Sequence, residues 1–488
     1  MRKSLVLTAA LICACNSQPP ELLPPPFGPD HPQDTRLFFP TGLAETDAGL
    51  LVANGNFNRA FESGTVVLLP RDYVDNLLAQ DVDCDVDALT LAPAAKAACY
   101  PAIPGNAEAV LIGNYSGPMT LDNAGKLALT GSRDTGRINA VRVDTTPAAD
   151  QRTLRCAPDA GNDAARDCRQ GLSLTNPDAT PADLPDAGVD GPYRIVAGST
   201  VTPGTTAPKD VFFVSSIIPH IDGISSGTIL SHTSVAVLDM EKPTTLLYTM
   251  PAGNSFDITA GTAPGPMVFD RVRRQLYLSG CYQRSTAFGA GQPGTGLCIS
   301  SSVNYLRTVS VDAQSFSDPL ILDLRGDVLS VFTNQLLLDS PPPDALGNPV
   351  APTTLWVTMR APDTLVRVEL PSVPSVSPRV RQIFPLPVSP AEMVRIARPG
   401  QPDLLAIVGE RNNAVVIFDT GTDEVVAQVG HLGDSPFMIQ QIDCPAAKTS
   451  SACVAVSVFG ACRIGLIEVP LVNPSATALR ALAGTCPP

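Results

Sequence analysis

His31, His220, His232 and His431 are the only histidines in the 488-residue chain, and none stands in a recognisable nucleophile-base arrangement. There is no CxxCH haem attachment, no Walker phosphate loop and no nucleophile elbow. Asp81, Asp83, Asp85 and Asp87 alternate as the oxygen ligands of a calcium loop do. A loop counted from Asp81 requires glycine at its sixth place and glutamate at its twelfth, where Val86 and Ala92 stand. A solvated acidic loop is therefore expected, and no catalytic residue, metal ligand or cofactor is assigned.

The residue with the most definite chemistry is near the start of the chain. Arg2 and Lys3 precede an apolar run from Leu5 to Ile12, the pattern of an export signal and too short to span a bilayer. The stretch Ile12-Cys13-Ala14-Cys15 resembles the lipobox of bacterial lipoproteins. That resemblance implies a signal peptide over 1–14 and acylation of Cys15; Cys13 fits less well because the bulky Ile12 would precede it. Asn16, rather than aspartate, follows the anchor, which in such lipoproteins implies the outer membrane. Residues 15–35 are expected to be the acylated cysteine and a tether. Pro19, Pro20, Pro24, Pro25, Pro26, Pro29 and Pro32 stiffen this segment toward polyproline II.

Cys84, Cys99, Cys156, Cys168, Cys281, Cys298, Cys444, Cys453, Cys462 and Cys486 remain, an even number in an exported chain, which implies disulfides. No spacing is CxxC and no histidine lies close, so zinc is the weaker alternative. Sequence does not dictate connectivity. The cysteines nevertheless fall as close neighbours, and sequential pairing is expected, with Cys281 and Cys298 flanking one insertion. Each closed loop of this size constrains the unfolded chain by about 3 kcal/mol.

A formal charge of −14 argues against phosphate-backbone binding, so nucleic acid is not an expected partner. With 37 Gly, 48 Pro and 16% charged residues, the chain reads as short strands and turns.

Such strands recur. TVVLLP (65–70), INAVRVD (138–144), SVAVLD (234–239), RTVSVD (307–312), TLVRVE (364–369), AVVIFD (414–419) and RIGLIE (463–468) each follow a second apolar strand, the later copies about fifty residues apart. Pro40, Pro118, Pro192, Pro266, Pro390 and Pro436 open a further strand in all copies but the fifth. Adding an outer strand, such as Val425 to Val429, gives four antiparallel strands repeated seven times. The expected fold is an all-β, seven-bladed β-propeller over 36–488, with long loop insertions in blades one to four. The stretch 404–436, LLAIVGERNNAVVIFDTGTDEVVAQVGHLGDSP, resembles the YVTN family of β-propeller repeats found in bacterial surface and exported proteins. The resemblance extends over roughly 36–470 and implies fold far more than function. Arg36 to Phe39 are expected to pair into the last blade and close the ring.

Loops 54–64, 157–191, 215–233 and 280–306 should then share one face. Arg133, Arg360 and Arg411 follow the second strands of blades two, five and six and could form an anion-binding rim at the channel mouth. The alternative is three solvated turn arginines. Trp356 stands alone, unlike the repeated tryptophans of quinone-dependent propellers, and is expected between blades. Glu392 is an isolated acid where a lactonase-type metal would need several. The leading expectation is a lipid-anchored binding or scaffold module of the cell envelope, facing the periplasm or the cell surface. Its ligand would be a protein, glycan or peptide on the loop-rich face. The alternatives are an exported lactonase-type hydrolase using the channel and a purely structural envelope protein.

Overall fold

The computed structural model describes residues 22–27, 34–145, 152–174 except 159, 192–251 except 202–206, 217–219, 226–227 and 233, 266–283, 302–322 except 318–319, and 332–486 except 340, 342–343, 345, 347, 361 and 373–375. Within them, seven antiparallel sheets succeed one another along the chain: blades one (40–112), two (116–173), three (192–251), four (267–321), five (332–385), six (390–429) and seven (436–483). Each blade's four strands lie side by side in chain order, counted here from the innermost. In blades two and four the outer strand is split into two short pieces, both pairing with the third. The innermost strands neighbour one another in sequence around the ring, and Pro436–Ile442 of blade seven meets Pro40–Thr46 of blade one. The seven-bladed β-propeller is thus closed.

Blade six shows why these residues make blades. Leu404–Gly409 and Ala414–Asp419 are buried along their whole length, whereas the outer Glu424–Val429 is mostly half-exposed. With side chains alternating between sheet faces, Leu404, Ala406 and Val408 enter the seam with blade seven, while Leu405 and Ile407 enter the seam with blade five. Continuous apolar runs are what a strand covered on both faces requires. The core is accordingly a ring of seven apolar seams, one between each pair of neighbouring blades. The blade-opening prolines also have a cause. Pro40, Pro192, Pro390 and Pro436 begin inner strands at register shifts, where the missing N–H breaks no regular ladder.

Ring closure departs from expectation. The outer strand of blade seven is Ala478–Ala483, not Arg36 to Phe39, so no blade borrows a strand from the other end of the chain. Leu37 is instead buried in the seam between blades seven and one, beside Cys462 and Ala483. The insertion between the third and fourth strands of blade one, residues 71–107, also departs from the all-strand reading. It carries two short helices, α1 (Arg71–Leu78) and α2 (Pro93–Cys99). The apolar stripe of α1, Val74, Leu77 and Leu78, fills the same seam. The segment between them lies along the outer strand of blade seven: the Cys84 N–H donates to the Leu479 carbonyl (2.7 Å), and the Arg480 guanidinium donates to the Val82 carbonyl (3.1 Å). Asp85 accepts the Gly430 N–H and contacts His431, reaching the end of blade six. This strap covers the edge that the last blade would otherwise leave open.

Disulfides join Cys84 to Cys99, Cys156 to Cys168, Cys444 to Cys453 and Cys462 to Cys486, the sequential pairing expected. The expected Cys281–Cys298 pair lies outside the residues whose side chains are described. No helix among the described residues is long and apolar enough to cross a membrane.

Candidate binding face

Because neighbouring strands are antiparallel, connections between second and third strands and those between blades leave on one face, and the remaining connections leave on the other. The first face gathers the loop 54–64, whereas the segment between Cys156 and Cys168 interrupts the outer strand of blade two and pairs instead with Leu111 of blade one. The first face also bears a separate hairpin, His220–Ser225 with Thr228–His232, inserted in blade three. Much of 157–191 and 280–306 lies outside the described residues.

On this face, where blades seven, one and two begin, five half-exposed aromatic side chains form a continuous patch. Phe459 lies 5.0 Å from Phe39, 5.1 Å from Phe57 and 6.4 Å from Phe437, and Phe57 lies 5.1 Å from Tyr115, ring centre to ring centre. The exposed Arg59 guanidinium sits 5.1 Å over the Tyr115 ring, a cation-π geometry. Backbone bonds lock the arrangement around Gly55, whose N–H donates to the Phe39 carbonyl (2.9 Å) and whose carbonyl accepts the Tyr115 N–H (2.6 Å). A Cβ on Gly55 would fall 2.4 Å from the Phe57 ring, so only glycine lets that ring lie where it does. Phe39 and Tyr115, each preceding an inner strand, hold φ at 51°. For bulky residues that conformation is costly, and such strain concentrates at binding and catalytic sites.

Asn56, Asn114 and Asp134 lie beneath the patch. Asn56 donates to the Phe61 carbonyl (2.7 Å) and to the Asn114 side chain (2.6 Å). Burial pushes the Asp134 carboxyl above its ordinary range, against the opposing pull of an Asn114 hydrogen bond and the Arg59 charge. Its Oδ1 is buried with no hydrogen-bond partner.

The channel side differs from a metal centre. Glu392, on the inner strand of blade six, is bridged by the Arg194 guanidinium of blade three at 3.1 Å. Burial holds its pKa above the ordinary value even so, with Arg194 pulling the other way. Among the described residues no three His, Cys, Asp or Glu side chains come together as a metal would require. In the acidic run, Asp83 and Asp87 accept backbone N–H groups of their own loop, while Asp85 serves the strap.

The three arginines stand at the ends of the second strands of blades two, five and six. Arg360 donates to the Pro390 carbonyl (3.0 Å) and pairs with Glu410, joining blade five to blade six. Arg411 is exposed on blade six. Arg133 stands half-buried on blade two, its N–H directed at the Tyr115 carbonyl. Trp356 lies between blades five and six against Phe384 and Phe418, with the Arg367 guanidinium 4.8 Å over its ring. Cys15 lies outside the described residues. Sequence reasoning missed the aromatic patch, although one signal was legible: Phe39 and Phe437 each adjoin a blade-opening proline.

No protein-family model matches the chain, and no curated protein does. Solved structures similar to it include the hydrazine synthase of Kuenenia stuttgartiensis, at 9% identity and a TM-score of 0.49 over 89% of this chain and 97% of that one. Another is the Cps50 (Swd1) β-propeller domain of Myceliophteria thermophila, at 11% identity and a TM-score of 0.48 over 88% and 97%. The periplasmic gluconolactonase PpgL of Pseudomonas aeruginosa follows at 12% and 0.44 over 83% and 89%. Likenesses this distant carry no functional argument. The chain is a seven-bladed β-propeller, and its activity has to be read from its own residues.

Proposed function

We propose that the protein is exported, acylated at Cys15 and held at the outer membrane, where it acts as a binding module for another component of the cell envelope. The observation that carries this reading is the strained, half-exposed aromatic patch of Phe39, Phe57, Tyr115, Phe437 and Phe459 on the loop-bearing face. Rigid aromatic side chains supply contact area at low entropic cost. An anion rim of Arg133, Arg360 and Arg411 is a narrower version of the same proposal. Arg360 is engaged between blades with Glu410, so the patch rather than the rim supports the reading. The lactonase-type alternative has its candidate acid, Glu392, engaged with Arg194, and no observation favours it.

Fractionation tests the anchor: Cys15→Ala is expected to leave the membrane fraction while keeping the thermal transition of the wild type. The same variant, passed over immobilised envelope glycan, envelope protein and phospholipid surfaces, is expected to bind one of them. Adding Phe57→Ser and Phe459→Ser should abolish that binding with little change in Tm. Failure to bind any of the three, or binding that survives both serines, refutes the module.

A further inference from the structure

Residues 22–27, which precede the first blade, do not hang from its edge. Leu23 pairs in parallel with Phe61: its N–H donates to the Ala60 carbonyl (3.3 Å), and its carbonyl accepts the Glu62 N–H (2.9 Å). Pro25, Pro26 and Phe27 are buried, and Phe27 joins the seam between blades seven and one. Residues 22–27 of the expected tether are therefore docked on the body, beside the loop that carries Phe57 and Arg59. Leu22 and Leu23 remain 43% and 61% exposed there.

We infer that the loop-bearing face is turned toward the bilayer and that the patch meets the phospholipid interface. The inference rests on the acylation of Cys15 proposed above and names the partner of that binding surface. Cys15 and Leu22 are seven residue steps apart, and an extended chain of that length reaches at most about 25 Å. The two faces are separated by inner strands of seven residues, such as Pro40–Thr46, or about 24 Å before any loop is counted. At full stretch the tether spans little more than the strands alone, so it cannot also clear the loops of the opposite face, such as the 71–107 insertion, to lay that face on the lipid. Phenylalanine, tyrosine and arginine suit the boundary between headgroup and hydrocarbon, where a ring is buried and a polar end stays wet. The acidic balance of the chain disfavours an anionic surface, so the lipid is zwitterionic. The acyl chains and the patch together then supply two membrane signals. Exposed aliphatic side chains also stand on the opposite face, among them Leu89, Val272, Leu346, Val376 and Val472, but these are scattered over blades one, four, five and seven and include no aromatic ring.

Energy transfer from tryptophan to a dansyl headgroup tests the orientation. The full-length acylated protein is reconstituted into phosphatidylcholine vesicles containing dansyl-phosphatidylethanolamine. Its native Trp356, which lines a cavity on the opposite face, serves as the distant reporter. A Trp356→Phe, Phe57→Trp variant, with Tyr115→Trp in the same background as a second reporter, places the donor in the patch. Both are expected to transfer severalfold more efficiently than Trp356. Equal or reversed transfer in protein that floats with the vesicles overturns the orientation while leaving the anchor intact. Protein that fails to float removes the anchor and the inference with it. Floating protein whose patch binds envelope glycan or protein but gives no transfer assigns the patch to that partner instead.

Discussion

Arg360 shows how a turn residue in a repeat can be diverted from solvent to structure. Its Nε–H caps the Pro390 carbonyl at the start of blade six, and its Nη2 pairs with Glu410. Both side chains of the pair are partly exposed, which limits its worth to about 1 kcal/mol. A double-mutant cycle of Arg360→Ala and Glu410→Ala by urea unfolding is expected to give a coupling of that order. Additive single mutants would mean that the pair contributes nothing. The equivalence of Arg133, Arg360 and Arg411 was legible from the repeat, but their partners were not, because Pro390, Glu410 and Tyr115 belong to other strands or blades. The same holds for Glu392, whose cation Arg194 lies 198 residues away in sequence and on the far side of the ring. Chemistry that depends on two blades meeting is invisible to any window of sequence.

At the scale of elements, all seven third strands and their preceding partners were legible, because strands buried on both faces must be continuously apolar and β-branched. What eluded the sequence lay between the strands. Val74, Leu77 and Leu78 form a helical stripe at i, i+3 and i+4, but a helix of eight residues exists only through the seam it fills. Arg36 to Phe39 have strand-like residues but face a blade whose outer position is already taken by Ala478–Ala483. That outer strand is held by Glu468, which accepts from Ser451 (2.7 Å) on one side and from Arg480 (2.7 Å) and Lys448 (3.0 Å) on the other. Burial alone would raise the Glu468 pKa, but these three donors outweigh it and hold it below the ordinary 4.5. A depressed carboxyl stabilises the fold above its unfolded pKa, and the contribution is lost as pH falls through the folded value. Glu468→Gln is therefore expected to cost about 1.5–3 kcal/mol at neutral pH and almost nothing in acid. Thermal transitions recorded over the acid range should converge for the two proteins. A gap that stays constant with pH would assign the loss to packing.

Across the whole molecule, stability is distributed over seven apolar seams instead of one centre, so each blade depends on two neighbours. Ile407 is fully buried in the seam between blades five and six. Ile407→Ala should cost about 2–5 kcal/mol and, because the ring is closed, lower a single unfolding transition monitored by circular dichroism and by Trp356 fluorescence alike. Two resolved transitions would show that the blades unfold separately. Every blade is built from consecutive residues, and the seam between blades seven and one is sealed by side chains and a strap, with no exchanged strand. An in-frame duplication or loss of one repeat would therefore always deliver or remove a complete sheet, never half of one. Such a gene can change its blade number in a single recombination, with only the strap left to find a new edge.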